Sequence, residues 1–120
     1  MIKVYHFRTT AKNEFTDRLA FQIQGFLKEP RIAGAVFREP ELHREHAEYV
    51  HVADVATDDY DEAWHLTNHI DEPWTLNPGV TPVRGVRHRS SSVGDILVLV
   101  DSFGVEQEAK VTMGCGFAPV

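Results

Sequence analysis

His65 and His69 stand four residues apart, with Asp61 four residues upstream, and on a helix that spacing places all three side chains on one face. Two imidazoles and a carboxylate so placed could hold a divalent cation. The residue after His65 is Leu66, where a zinc protease needs its glutamate base, and a repeat of four equally describes the wet face of a helix. Asp61, His65 and His69 are therefore weak metal candidates, and no metal or cofactor is assigned. His43 and His46 form a second pair that ranks lower.

Other catalytic chemistry finds less support. Ser90, Ser91 and Ser92 follow Arg87, His88 and Arg89, but no Gly-x-Ser-x-Gly turn is present to expose and activate a hydroxyl. Cys115 lies between Gly114 and Gly116 with no basic neighbour to lower its pKa, which suits a small residue in a tight turn. The same glycines lead to the last residues of the chain and not into a helix, so no phosphate-cradling loop is expected. The reading favours a protein that binds over one that catalyses.

Charge is distributed unevenly. From Glu45 to Val83 there are nine carboxylates and no Lys or Arg, in a chain of net charge −6, so the remainder is net positive. Like charges repel, which gives a purely structural role no reason to concentrate them. Asp58, Asp59, Asp61, Glu62, Asp71 and Glu72, with Trp74 beside them, are the candidate contact residues for a basic protein partner. The plainer alternative is a solvated helix start whose acids suit the helix dipole. Arg84, Arg87, His88 and Arg89 form the one basic cluster, which could answer those acids or meet a phosphate.

These residues need elements to position them. Ile2 to Phe7 alternates and reads as a strand. Phe15, Leu19, Ile23 and Phe26/Leu27 have helical spacing up to Pro30, although Leu19, Phe21 and Ile23 also alternate as a strand would. Ile32 to Phe37 is short and apolar and could be a strand. Pro40 to Glu48 reads as loop with room for one helical turn. Tyr49 to Val55 is a strand whose alternation slips once. Thr57 or Asp58 can cap a helix over Asp58 to Ile70, burying Ala63, Leu66, Thr67 and Ile70 and stopping before Pro73. Trp74 to Arg89 is a long loop, and long ordered loops are often functional. Val93-Gly94-Asp95 turns into a strand over Ile96 to Val100, and Asp101 to Gly104 turns into another over Glu106 to Met113. The fold class expected is α+β: a single small domain over residues 1–120, mainly antiparallel sheet, with two helices packed on one side.

Bulk properties set the outer limits. A length of 120 residues with 42% hydrophobic content supports one core. Lone Cys115 cannot form an internal disulfide, and the acidic balance opposes direct binding of nucleic acid, Trp74 stacking included. Ile96 to Val100, the longest apolar run, is far too short to span a bilayer, and Met1 to His6 lacks the apolar run of a signal peptide. The cytoplasm is the expected compartment.

Two stretches carry a family likeness. Leu66-Thr67-Asn68-His69-Ile70-Asp71-Glu72-Pro73-Trp74 is followed by Asn77-Pro78-Gly79-Val80, and then by Arg89-Ser90-Ser91-Ser92-Val93-Gly94-Asp95-Ile96. Together they resemble the YodL-like domains and related small proteins borne by phages, plasmids and actinobacterial chromosomes. The likeness covers residues 49–117 and leaves 1–48, a strand-helix-strand part, outside it. It implies a helix ending in Asn68, a loop, the Arg-Ser-x-Ser-Val-Gly-Asp motif, a strand and a closing hairpin. It assigns no catalytic residue, and Asn68, Arg89, Ser90, Ser92, Gly94 and Asp95 are read as structural. It further implies an accessory protein of a mobile element acting against a host defence. The function expected is a non-enzymatic one: binding a basic partner, such as a host nucleic-acid-binding protein, through an acidic face. A metal-dependent hydrolase using His65 and His69 is the alternative, and a homodimer built on the terminal hairpin is a third reading.

Overall fold

Ile96 to Val100 is apolar at every position, and a strand can bury all of its side chains only when both faces of its sheet are covered. In the computed structural model, which describes residues 1–9, 28–43, 47–69 and 71–120, that is its setting. Strand β4 (Ile96–Val100) lies inside a six-stranded antiparallel sheet with β1 (Ile2–Thr9), β2 (Ala47–Val55), β3 (Val80–Pro82), β5 (Glu106–Thr112) and β6 (Phe117–Pro119), in the order β3-β2-β1-β4-β5-β6. Ile96, Val98 and Val100 face one core with Phe7, Ala33, Val36 and Val111. Leu97 faces the other with Ile2, Val4, Val52, Val55, Ala63 and Trp74. The α+β class and the antiparallel sheet agree with the sequence reading.

The helices divide between those faces. Helix α1 (Pro30–Arg38) supplies Ala33 and Val36 to the first core, and a single turn, α2 (Pro40–His43), follows it. Helix α3 (Tyr60–Thr67) supplies Ala63 to the second. β4 has apolar residues pointing both ways, so each face requires its own cover, and on the first face α1 supplies it where the sequence reading had a strand. The helix read over Phe15 to Leu27 lies outside the described residues.

Local chemistry explains other differences. Ile32 to Phe37 is helical, not extended, because Pro30 at the first helical position presets φ and Ile32, Ala33, Val36 and Phe37 form one helical face. The slip in β2 is a bulge: Tyr5 pairs with His51 and Val4 with Ala53, so Val52 is extra and Val52 and Ala53 are buried in succession. The cap of α3 is Asp59, whose side chain accepts from the amides of Asp61 and Glu62, while Thr57 Oγ1 accepts from the Asp59 amide and donates to Glu62. Trp74 to Arg89 is not wholly loop. It contains a 3-10 turn at Trp74–Leu76 and the edge strand β3, where Pro82 is tolerated at the sheet margin. Asn77 Nδ2 donates to Leu66 O at 2.9 Å and ties that segment to α3.

Candidate functional site

Gly94 turns the chain at φ 97 and delivers Asp95 into the interior, where it is wholly buried at the start of β4. A lone carboxylate there would be prohibitively costly, and its position is explained by four bonds. Oδ1 accepts from the Phe7 amide at 2.9 Å and from Arg89 NH2 at 2.6 Å. Oδ2 accepts from Arg89 NH1 and the Ser92 amide, each at 2.7 Å. The Arg89 guanidinium donates in addition to Phe7 O, Ser90 O and Ser92 Oγ. The planar fork of arginine suits this paired contact, and lysine could not replace it. The Arg-Ser-x-Ser-Val-Gly-Asp segment thus closes on itself and is stitched to β1.

A second chain of bonds runs from β1 to α3. Thr67 Oγ1 donates to Ala63 O at 2.9 Å, so it can only accept from Ser91 Oγ, 2.8 Å away. The Ser91 proton being committed, its oxygen accepts from His6 Nε2, also at 2.8 Å. This order fixes the Nε2–H tautomer of His6 and leaves Nδ1 a bare acceptor, which is buried and has no partner among the described residues. Burial pushes the His6 pKa down to about 4, with Asp95 opposing the shift and Arg89 and His88 adding to it. His6 is therefore neutral at pH 7, and its 3.8 Å approach to Asp95 is not an ion pair.

Ser91, His6 and Asp95 have the residue types of a hydrolytic triad but not its geometry. In a triad the carboxylate holds the imidazole nitrogen opposite the one facing serine. Both Ser91 and Asp95 lie on the Nε2 side, Asp95 is committed to Arg89, and Ser91 is 1% exposed. The arrangement joins elements and does not activate a nucleophile. Asn68 Nδ2 completes the junction by donating to Ser91 O at 2.6 Å.

Trp74 is 2% exposed, and its Nε1 donates to Arg89 O at 2.8 Å. Its ring meets the edges of His6 and His88. This corrects its reading as a partner contact: the indole fills the space between β1 and the loop and is almost wholly buried. Above His6, residues of β1, β2 and the 83–90 loop enclose a groove of about 420 Å³ lined by His6, Arg8, Val50, Val52, Arg87 and Arg89. Arg8 is paired with Glu48 and Arg89 with Asp95, while Arg87 is exposed and has no carboxylate partner among the described residues.

The acids do not share one surface role. Glu48 pairs with Arg8, Asp54 with His51, and Asp58 with the chain's amino group at 2.6 Å. Asp59 is occupied as the cap. Exposed Asp61 and Glu62 occupy the first turn of α3, and exposed Asp71 and Glu72 follow its far end, so roughly 7.5 Å of helix and the residues after it lie between the two pairs. None of these four has a cationic partner among the described residues. Glu45 lies outside those residues.

The metal candidates also separate. Helix α3 ends at Thr67, so His69 is off the helix and the spacing of four no longer aligns it with His65. Asp61 and His65 line a groove beside the β5–β6 turn, whereas His69 lines another with Trp74 and His88. No cluster of three metal-ligating residues occurs among the described residues. Among the described residues, Ser90 accepts from Arg89 through its carbonyl.

His6 and Ser91 were missed from sequence, and Thr67 was read only as one of the buried residues of its helix, which it is. His6 carried a signal: it takes the inward position that follows Ile2 and Val4 in the alternation of β1. Ser91 carried none, since nothing local sets it apart from Ser90 and Ser92. Compared with protein-family models, curated proteins and solved structures, the chain finds no match. Among the described residues, no helix is long and apolar enough to cross a membrane.

Proposed function

We propose that the protein is a binding module, non-enzymatic, that docks a basic protein partner on the two acidic pairs flanking α3. The observation that carries this reading is that Asp61, Glu62, Asp71 and Glu72 are exposed and lack cationic partners among the described residues, although Arg84 and Arg87 belong to the same half of the chain. The Arg89–Asp95 junction and the Trp74 anchor support it by holding the loop after α3 in one geometry, so the two pairs keep a set spacing. Asp58, Asp59 and Trp74 leave the contact set, being used internally. The resemblance to YodL-like domains adds the setting: a cytoplasmic accessory protein of a phage or other mobile element, with a nucleic-acid-handling host protein as the partner. Dimerisation through the terminal hairpin has less support, because β6 is three residues long and Pro119 removes one of its donors.

The test is capture of partners from host lysate at low and high salt by the wild-type chain and by the Asp61→Lys/Glu62→Lys double variant, with circular dichroism confirming the fold. Partners released by salt and lost on charge reversal support the reading. Capture that is indifferent to both ends it.

A further inference from the structure

We infer that the outer edge of β2, from Ala47 to His51, is a docking site for an extended acidic peptide that adds to the sheet as a further strand. This goes beyond the acidic docking surface and uses different residues. β2 runs from Ala47 to Val55, but β3 pairs only with Ala53, Asp54 and Val55, and beyond it Val83 N donates to Val52 O at 2.9 Å. Glu48 to His51 therefore present an outer row of backbone groups that meets no strand among the described residues. Sheets usually blunt such edges. Here β3 and β6 are three residues long and carry Pro82 and Pro119, and β5 beyond β6 has a register slip and exposed Glu106 and Glu108. The stretch Ala47-Glu48-Tyr49-Val50-His51 has no proline, no lysine and no bulge, and its one acid is neutralised by Arg8. The other edges are guarded, and this one is open.

Unpaired strand groups are answered by another extended backbone, and the side chains on either face select which one. Successive residues of an added strand point alternately to the two faces of the sheet. On one face they meet Val50 and the groove that holds Arg87, the one of its three guanidiniums without a carboxylate partner among the described residues. Arg84, exposed and likewise unpaired among those residues, stands just past β3, where the added strand would end. On the other face they meet Tyr49 and His51, which pack against Phe37 and Tyr5 as a partly exposed aromatic surface. The complement is a segment that alternates acidic and apolar side chains. The open edge has room for about five residues, about 17 Å of strand, which suits a short peptide. A second copy of this chain fits less well, because the acid its own edge would offer is Glu48, already held by Arg8.

The test is an NMR titration of the whole chain with the acetylated, amidated peptide Thr-Val-Glu-Val-Glu-Val-Thr. Its counterpart with Lys in place of Glu, and two forms N-methylated at alternate backbone amides, one for each phase, serve as comparisons. Expected are saturable shifts at the amides of Ala47 to His51 and Arg84 to Arg87, with cross-strand contacts between the peptide backbone and β2. One N-methylated phase, which replaces the donors facing β2, should abolish binding, and the other should keep it. The Lys peptide should bind about tenfold more weakly. Arg87→Gln should weaken binding of the Glu peptide about three- to fivefold, and Arg31→Gln, an exposed change on α1, should leave it unaltered. Absence of saturable shifts overturns the inference, as does equal binding of the Lys peptide or indifference to both N-methylated phases. Contacts at β2 between two copies of the chain that the peptide does not displace overturn it as well. Because the Glu peptide carries no base and the acids flanking α3 lie on other elements, failure here leaves the docking reading standing.

Discussion

Asp95 and Asp61 carry the same carboxylate and serve opposite ends. Asp95 is fully buried, accepts from Arg89 and two backbone amides, and fixes a loop against β1. Asp61 stands in water at the start of α3 and faces no cation among the described residues. Burial makes the first charge indispensable to the fold, because removing either partner strands the other in a poor solvent. Exposure makes the second almost irrelevant to stability and available for recognition. Charge counts along the sequence treat the two alike.

Removing the buried charge should have the largest effect. Asp95→Ala is expected to destabilise the fold by about 3 kcal/mol, the low end for a broken buried pair because Arg89 remains one-third exposed. Urea denaturation measures it, and a loss below about 1 kcal/mol would remove the distinction between the two carboxylates.

The pH dependence of stability sharpens the same contrast. His6 has a folded pKa of about 4 against an ordinary 6.5, so between those values the unfolded chain binds the extra proton. Its contribution is present above pH 6.5 and is lost as pH falls towards 4, amounting to about 3 kcal/mol or less. The stability curves of the wild type and His6→Gln should lie furthest apart, and run parallel, above pH 6.5, and the gap should close as pH falls from 6.5 to about 4. Curves that stay parallel across that window would mean that His6 does not titrate with folding.

At the acidic end the effects should be small and divided by role. Asp59→Ala removes the α3 cap and should cost about 1 kcal/mol. Asp61→Asn with Glu62→Gln should change stability by no more than about 0.5 kcal/mol, read by thermal unfolding. A larger loss there would show that these acids are structural after all.

Much of the framework was legible in the chain itself. Alternation marked β1, continuous apolar character marked β4, Gly94-Asp95 marked the turn before it, and even the bulge in β2 appeared as a slip of phase. Those are local signals, set by side-chain periodicity and backbone sterics over a few neighbouring residues. The tertiary structure alone decided which face each helix covers, that Trp74 turns inward, that the acids divide into internally used and free ones, and that His6, Ser91 and Thr67 meet. Each of those outcomes depends on residues distant in sequence, 15 to 88 positions apart in the bonds described, being brought within hydrogen-bond or van der Waals reach. Pair energies at such separations leave no periodic trace in the sequence, and burial, which made one aspartate a keystone and left another in solvent, is a property of the assembled chain.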